Sequence, residues 1–450
     1  MSDKMTETAS TSELVERLEA EIPLWGYLPA AMRFKQALVA SVGIEEAFRV
    51  GREALKVPGL DIVRARPVRS LYEAAKQEAV SLHELWGGGN PFILPPPRVI
   101  GEGNDVPLQG VNRAAYLACF TNVAIRGRSA VLLTETDALV DFERDEFSRF
   151  PDNPEYDPGI LHADGRTFWT MEPRDHTLTV DEAFMLSGDH TVDFGHWIIE
   201  YLPKYAIAAL SGLPHHVPVL VDERNPAAHR QSLELLLPRG TGIIVVPHLA
   251  PVLVRKLWCA PVPANIGFYP TRFDAEIWGH RAREPGGFTT LIREIASRFE
   301  NATAEPTGWD RVFIARKPHL TKKKLLNFRE IEAAAQARGF RIVYPEELSF
   351  IDQLRLVRHA RHIVGPEGSG TYLTFFARPG TRVCVLSPPY TLGLIDINAI
   401  LAGVGVDLTI LTGRESRNEE FSPFWYDYEI QPARFSEFLG DWLADGAHAA

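Results

Sequence analysis

Residues 312–386 read VFIARKPHLTKKKLLNFREIEAAAQARGFRIVYPEELSFIDQLRLVRHARHIVGPEGSGTYLTFFARPGTRVCVL, and this stretch decides the fold. Short apolar runs at 312–315, 341–344, 362–364 and 382–386 predict strands. Between them, helical periodicity predicts helices over 324–338, closed by Gly339, and over 350–360. The strand at 362–364 leads into a glycine-rich turn and a short helix through Phe376. Strands alternating with helices at this pace imply a parallel sheet with helices on both faces.

Working outward, a helix at 289–299 precedes the first of these strands, and Pro261-Val262-Pro263 with the irregular stretch to about 285 predicts a crossover. Upstream, strands at 217–221 and 243–246 flank a helix at 227–237, and another helical segment begins near Phe194. Residues 150–190, rich in Pro, Asp and Gly, read as surface loops. From 98 to 142 short β runs at 116–123 and 129–133 flank a hairpin-like turn, Arg126-Gly127-Arg128. Residues 1 to about 90 read as helical, starting with a polar segment at 1–21 whose Ser10 and Glu13 form a capping-box pattern. They end at Gly87-Gly88-Gly89-Asn90-Pro91 and Pro95-Pro96-Pro97. The expected organisation is a helical extension and linker (1–97), an α/β unit entered through hairpins (98–265), a Rossmann-like unit (266–430), and a C-terminal helix and tail (431–450) free to cross back to the first unit. Two such units imply a cleft between them, where open α/β sheets bind ligands beyond the carboxyl ends of their strands.

The chain has 450 residues, 45% hydrophobic and 23% charged, with a formal net charge of −11. That is a globular composition. Its acidity gives no global attraction for nucleic acid. No apolar run is long enough to span a bilayer, and the polar start lacks the apolar core of a signal peptide. A cytoplasmic protein without a transmembrane segment is expected, with peripheral membrane contact left open. Cys119, Cys259 and Cys384 lie apart in apolar stretches and read as buried thiols, not as zinc ligands or a disulfide framework.

Three constellations bear on chemistry. In Gly195-His196-Trp197-Ile198-Ile199-Glu200-Tyr201-Leu202-Pro203-Lys204, helical spacing puts His196, Glu200 and Lys204 on one face. A carboxylate one turn from a histidine orients the ring and stabilises its protonated form, which suits a general base. Either His196 or Glu200 fits that role; a docking helix with an ordinary ion pair is the alternative. Pro203 predicts a kink or a restart of the helix. Arg316-Lys317 after a strand and Lys322-Lys323-Lys324 at a helix start suit a diphosphate, or form a solvated basic turn. Gly365-Pro366-Glu367-Gly368-Ser369-Gly370-Thr371 offers free amides to a phosphate, or is a tight turn without a ligand. Asp141-Phe142-Glu143 is a weak acid-x-acid metal motif, more readily a charged turn. Phe424-Trp425-Tyr426-Asp427-Tyr428 reads as core packing or as a platform for a sugar ring.

Together these motifs resemble glycosyltransferase family 61, over about residues 98–390. The resemblance rests on Arg316, Lys323-Lys324, Leu325-Leu326, Asn327-Phe328, Gly339-Phe340, Gln353, the turn from Gly365 to Gly370, and the segment from Phe376 to Gly380. Upstream it rests on Gly195-His196-Trp197, Glu200 and Leu202-Pro203-Lys204. The chain departs from the family pattern at Phe328, Glu367 and Leu373, and has lysine for arginine at 204, 323 and 324. The resemblance implies a GT-B fold, two Rossmann-like domains facing a cleft, with the acceptor on the first and the nucleotide sugar on the second. It implies inverting, metal-independent transfer from a nucleotide-sugar donor to a glycan or glycolipid acceptor in surface polysaccharide biosynthesis. No cofactor is expected beyond that donor substrate. His196 and Glu200 are then the catalytic candidates. Arg316, Lys323, Lys324, Asn327, Gly365, Glu367, Gly368, Ser369, Gly370 and Thr371 are the candidates for holding the donor. A sugar-nucleotide epimerase, a pyruvyl transferase or a catalytically silent binding module on a similar fold are the alternatives.

Overall fold

The computed structural model describes residues 27–55, 59–141, 157, 159–175, 178–263, 275–306, 308–317, 324–416 and 426–445. The expected helix at 1–21, Lys322, Lys323, Phe142, Glu143, Phe424 and Trp425 lie outside the described residues.

Six strands of the C-terminal half form one sheet in the order Arg341–Val343, Arg311–Ile314, His362–Pro366, Arg382–Ser387, Asp407–Thr412 and Arg98–Ile100, every pairing parallel. Alternate side chains of these strands enter two different apolar layers, as the twofold repeat of a strand requires. Val312, Ile314, Ile363, Val383, Val385, Leu408 and Ile410 share one layer with the helices Pro285–Phe299, Phe350–His359 and Ile395–Gly403. Phe313, Val364, Cys384, Leu386 and Leu411 share the other with Phe328–Ala337 and Pro432–Asp445. Burial on both faces explains the nearly continuous apolar runs of the sequence. The expected helix at 324–338 starts only at Phe328, because the carbonyl of Lys324 and the N–H of Leu326 are engaged by the backbone of Tyr428.

The second sheet is larger and mixed. Among the described residues its strands run in the order Ile243–Val246, Val219–Asp222, Thr179–Met185, Pro251–Cys259, Ala115–Arg126, Leu132–Leu133, Ala138–Val140, Ile62–Ser70, Thr167–Glu172 and Ile160–Ala163, with Ser81–Trp86 also paired to Ala115–Arg126. The first four are mutually parallel.

Three expectations are corrected here. Residues 62–70 and 81–86 are strands, not helix. The loops expected at 150–190 include the strands Ile160–Ala163, Thr167–Glu172 and Thr179–Met185. Pro251–Cys259, to which no element was assigned, is a nine-residue strand that ends just before the crossover expected at Pro261. Ile62–Ser70 looks unlike a strand because of its three arginines, but Arg66 is paired across the sheet with Glu172, both side chains buried. A buried charge is tolerated when it is paired and hydrogen-bonded, and Arg66 also donates to the carbonyls of Thr134 and Glu135.

The two sheets share one continuous apolar core. Trp197, Ile198, Leu202 and Tyr205 of the helical segment after Phe194 pack in the same cluster as Phe288, Phe299, Phe350 and Phe376. All three cysteines are buried free thiols, and desolvation pushes Cys119 to about 11 and Cys259 to about 12. No described helix is long and apolar enough to cross a membrane.

Candidate active site

Three turns of different pitch carry the His196 motif. Phe194–His196 begins as α-helix, Trp197–Tyr201 widens to a π-turn, and Leu202–Leu210 resumes as α-helix with Pro203 in its first turn. Pro203 has no N–H to give and its ring crowds the carbonyl of Ile199, so the widening sits where the proline demands it. The expected restart is therefore present. Across the widened turn His196 Nδ1 lies 3.0 Å from Glu200 Oε1. Glu200 is almost wholly buried, and the opposite face of the segment is locked in the core. There the Trp197 indole stacks on His229 at 4.7 Å and donates to Ser232 Oγ at 2.8 Å.

The loop before this helix supplies a residue that the sequence reading passed over. His190 stacks on His196 with ring centroids 4.2 Å apart and planes 15° from parallel. Its nitrogens face Asp193 at 3.3 Å and Asp189 at 3.5 Å. Burial alone would discharge the ring, but Asp189, Asp193 and Glu200 outweigh it and raise its pKa to about 9. His190 is thus a cation at neutral pH. Buried Asp222 pins the loop by accepting from Ser187 Oγ, Thr191 Oγ1 and the N–H groups of Gly188 and Arg128. Arg128 in turn donates to the Asp189 carbonyl at 2.6 Å. The signal was present as Asp189-His190-x-x-Asp193 just upstream of the helix, inside a stretch read as loop.

On the other sheet the strand His362–Pro366 runs into the glycine-rich turn, and Ser369–Phe376 follows as a 3-10 helix. A Cβ on Gly365 would stand 2.6 Å from the Ile314 carbonyl, so only glycine lets these neighbouring strands approach here. Arg316 lies along the turn: it donates to the Glu367 carbonyl at 2.7 Å, and its guanidinium covers Gly368. Glu367 turns its carboxylate inward to accept from Ser387 Oγ at 2.8 Å, leaving its backbone, not its side chain, at the turn. Thr371 is buried, bonding its N–H to Gly368 and accepting from Thr374. Gly370 packs against the Ile314 side chain.

The side chain of Asn327 and the backbone of Lys324 are engaged by the C-terminal segment. The Asn327 amide donates to the Ile430 carbonyl at 2.7 Å and accepts from the Ile430 N–H at 3.3 Å. The Lys324 N–H is held by Asp427. Both tie the C-terminal segment to the sheet. Lys317 pairs with Glu347 at the surface, as a solvated basic turn would. Tyr428 is core, donating to the Leu386 carbonyl at 2.7 Å, so that aromatic is not a sugar platform. The Asp141 carboxylate accepts from the Val262 N–H at 2.6 Å, as a turn carboxylate does.

The two halves meet at Gly195. A Cβ there would lie 3.0 Å from Ser369 Oγ and 3.1 Å from the Tyr372 ring. The absence of a side chain therefore brings the start of the His196 helix directly onto the 3-10 helix of the glycine-rich turn. Phe194 adds an edge contact to Phe350 across the same junction.

His190, Asp193 and His196 each offer a donor atom, all within 4.8 Å. Imidazole lone pairs lie in the ring plane, and two nearly parallel rings 4.2 Å apart cannot both point at one ion. With that geometry the trio does not fit a metal as it stands.

No curated protein matches the chain. Residues 194–384, from the start of the His196 helix through the glycine-rich turn, match the family model described as Glycosyltransferase 61, so the resemblance expected from the motifs holds over the segment that carries both halves of the site.

Proposed function

We propose that the protein is an inverting, metal-independent glycosyltransferase that moves a sugar from a nucleotide-sugar donor to a glycan or glycolipid acceptor in surface polysaccharide biosynthesis. The single observation that carries this reading is the junction at Gly195, where the His196–Glu200 pair meets the Ser369–Phe376 helix. In a GT-B arrangement the acceptor hydroxyl lies beside His196. The imidazole takes its proton while the oxygen forms a bond to the anomeric carbon from the face opposite the leaving group. The bond from that carbon to the diphosphate breaks in the same displacement. Arg316 and the amides of the turn offset the charge that develops on the departing diphosphate. Glu200 holds the ring in its tautomer and compensates the imidazolium.

The test is incubation with a panel of nucleotide sugars and glycan acceptors, with and without EDTA, and determination of the product's anomeric configuration by NMR. A glycoside of inverted configuration formed equally in EDTA is the expected result. An isomerised nucleotide sugar without glycoside would mark an epimerase instead. Activity lost in EDTA and restored by manganese or magnesium would overturn the metal-independent mechanism.

A further inference from the structure

A cavity opens on the side of the His196–Glu200 pair that faces the larger, mixed sheet, its polar wall made by Asp141, Asp189, His190, Glu200, Tyr201 and Lys204 and the remainder mostly aliphatic. Lys204 is 8% exposed, yet among the described residues its ammonium has no hydrogen-bond partner and no carboxylate within ion-pair distance. Its three N–H donors are available to a ligand in the cavity that the residue lines. Desolvation lowers the lysine's pKa, and Asp141, Cys259, Asp189 and Glu200 only partly offset it.

We propose that this cavity is the acceptor subsite and that it takes a neutral, hydroxyl-rich sugar unit, with Lys204 donating to its oxygens. The proposal rests on the glycosyltransferase reading, because it places the acceptor beside the base by way of Glu200, which belongs to both the pair and the cavity wall. The chemical class follows from the mixture of groups. Lys204 only donates, the carboxylates of Asp141, Asp189 and Glu200 only accept, and the Tyr201 hydroxyl does both. A sugar hydroxyl answers all three, since it accepts from an ammonium and donates to a carboxylate in the same contact. A carboxylate or phosphate on the ligand would find cations only in Lys204 and His190 and would face the three carboxylates of the wall. Net neutrality and many hydroxyls are therefore the selected features.

The experiment compares wild type with Lys204→Met, which keeps the length of the side chain and removes the charge. Labelled full-length protein is applied to a glycan array holding neutral and uronic-acid-containing oligosaccharides, and thermal stability is measured in parallel. Wild type should select neutral glycans, and Lys204→Met should bind them about tenfold or more weakly, the worth of a charge-assisted hydrogen bond. The same variant should melt no lower than wild type, since an apolar group of similar length replaces a charge that desolvation disfavours. Loss of stability in Lys204→Met, glycan binding that ignores the substitution, preference for acidic glycans, or no glycan binding by wild type would each overturn the proposal. Thermal shifts with UDP, GDP and TDP read the other half of the site. They should be the same in both proteins, and a wild type that no nucleotide stabilises would sink the glycosyltransferase reading while leaving the glycan result standing.

Discussion

The imidazoles of His190 and His196 lie face to face at 4.2 Å, and the first of them is charged at neutral pH. A proton accepted by His196 therefore arrives beside a cation, and Glu200 at 3.0 Å is the group that compensates it. His196→Ala should cut kcat by about 10²–10⁴-fold, the usual worth of a positioned base. Glu200→Gln should cost less, because it removes a compensating charge and leaves the ring. The reverse order in steady-state kinetics would make Glu200 the base, and near-wild-type turnover in both folded variants would remove the pair from the mechanism.

The charge on His190 carries its own pH signature. Its folded pKa of about 9 lies above the ordinary 6.5, so its protonation stabilises the fold fully below pH 6.5. That contribution is lost as pH rises through 9. The melting temperature of wild type relative to His190→Gln should be highest at pH 6 and converge on the variant by pH 9.5. A difference that stays constant across this range would show that the ring is not held charged.

Arg316 should reveal two roles at once. It holds the turn through the Glu367 carbonyl, and burial disfavours its charge unless something anionic is near. Arg316→Ala should weaken nucleoside-diphosphate binding by about 10–150-fold, corresponding to roughly 1.5–3 kcal/mol, and leave nucleoside binding nearly untouched. Equal losses for both ligands in calorimetry would assign the arginine to the turn's structure alone.

The Gly195 junction permits a paired test. A methyl group there is tighter against Ser369 and Tyr372 than ordinary contacts allow, so Gly195→Ala should destabilise by about 1–3 kcal/mol despite alanine's better helix propensity. Adding Ser369→Ala removes one of the two clashes and should restore part of the loss. Strict additivity in the double variant would mean that the two sides do not press on each other.

Much of this molecule can be read directly from its sequence, and the exceptions have physical causes. The parallel sheet is legible because its inner strands are buried on both faces and written in apolar residues, as in Arg382–Ser387. Ile62–Ser70 is not, because its arginines find partners only after folding, Arg66 on Glu172 and Arg69 on Glu78 and Asp137. The His196–Glu200 pair follows from helical spacing within one segment. The use of the Asn327 amide by Ile430 is not legible, because nothing local announces a partner so distant in sequence. The approach of Gly195 to Ser369 depends on two sheets sharing a core, which no local pattern encodes.

The three-residue strand Arg98–Ile100 belongs by sequence to the first half of the chain but pairs with Thr409, Ile410 and Leu411 of the second. The polypeptide leaves one sheet, contributes an edge to the other, and returns to build Ala115–Arg126. The two halves are therefore stitched by several crossings and do not hang from a single thread. Any movement of one sheet against the other must bend those stitches together, which favours a small, concerted rotation over free swinging. It also means that the C-terminal half produced alone would bare the Asp407–Thr412 edge, a ladder of unpaired N–H and C=O groups ready to recruit a strand from another copy.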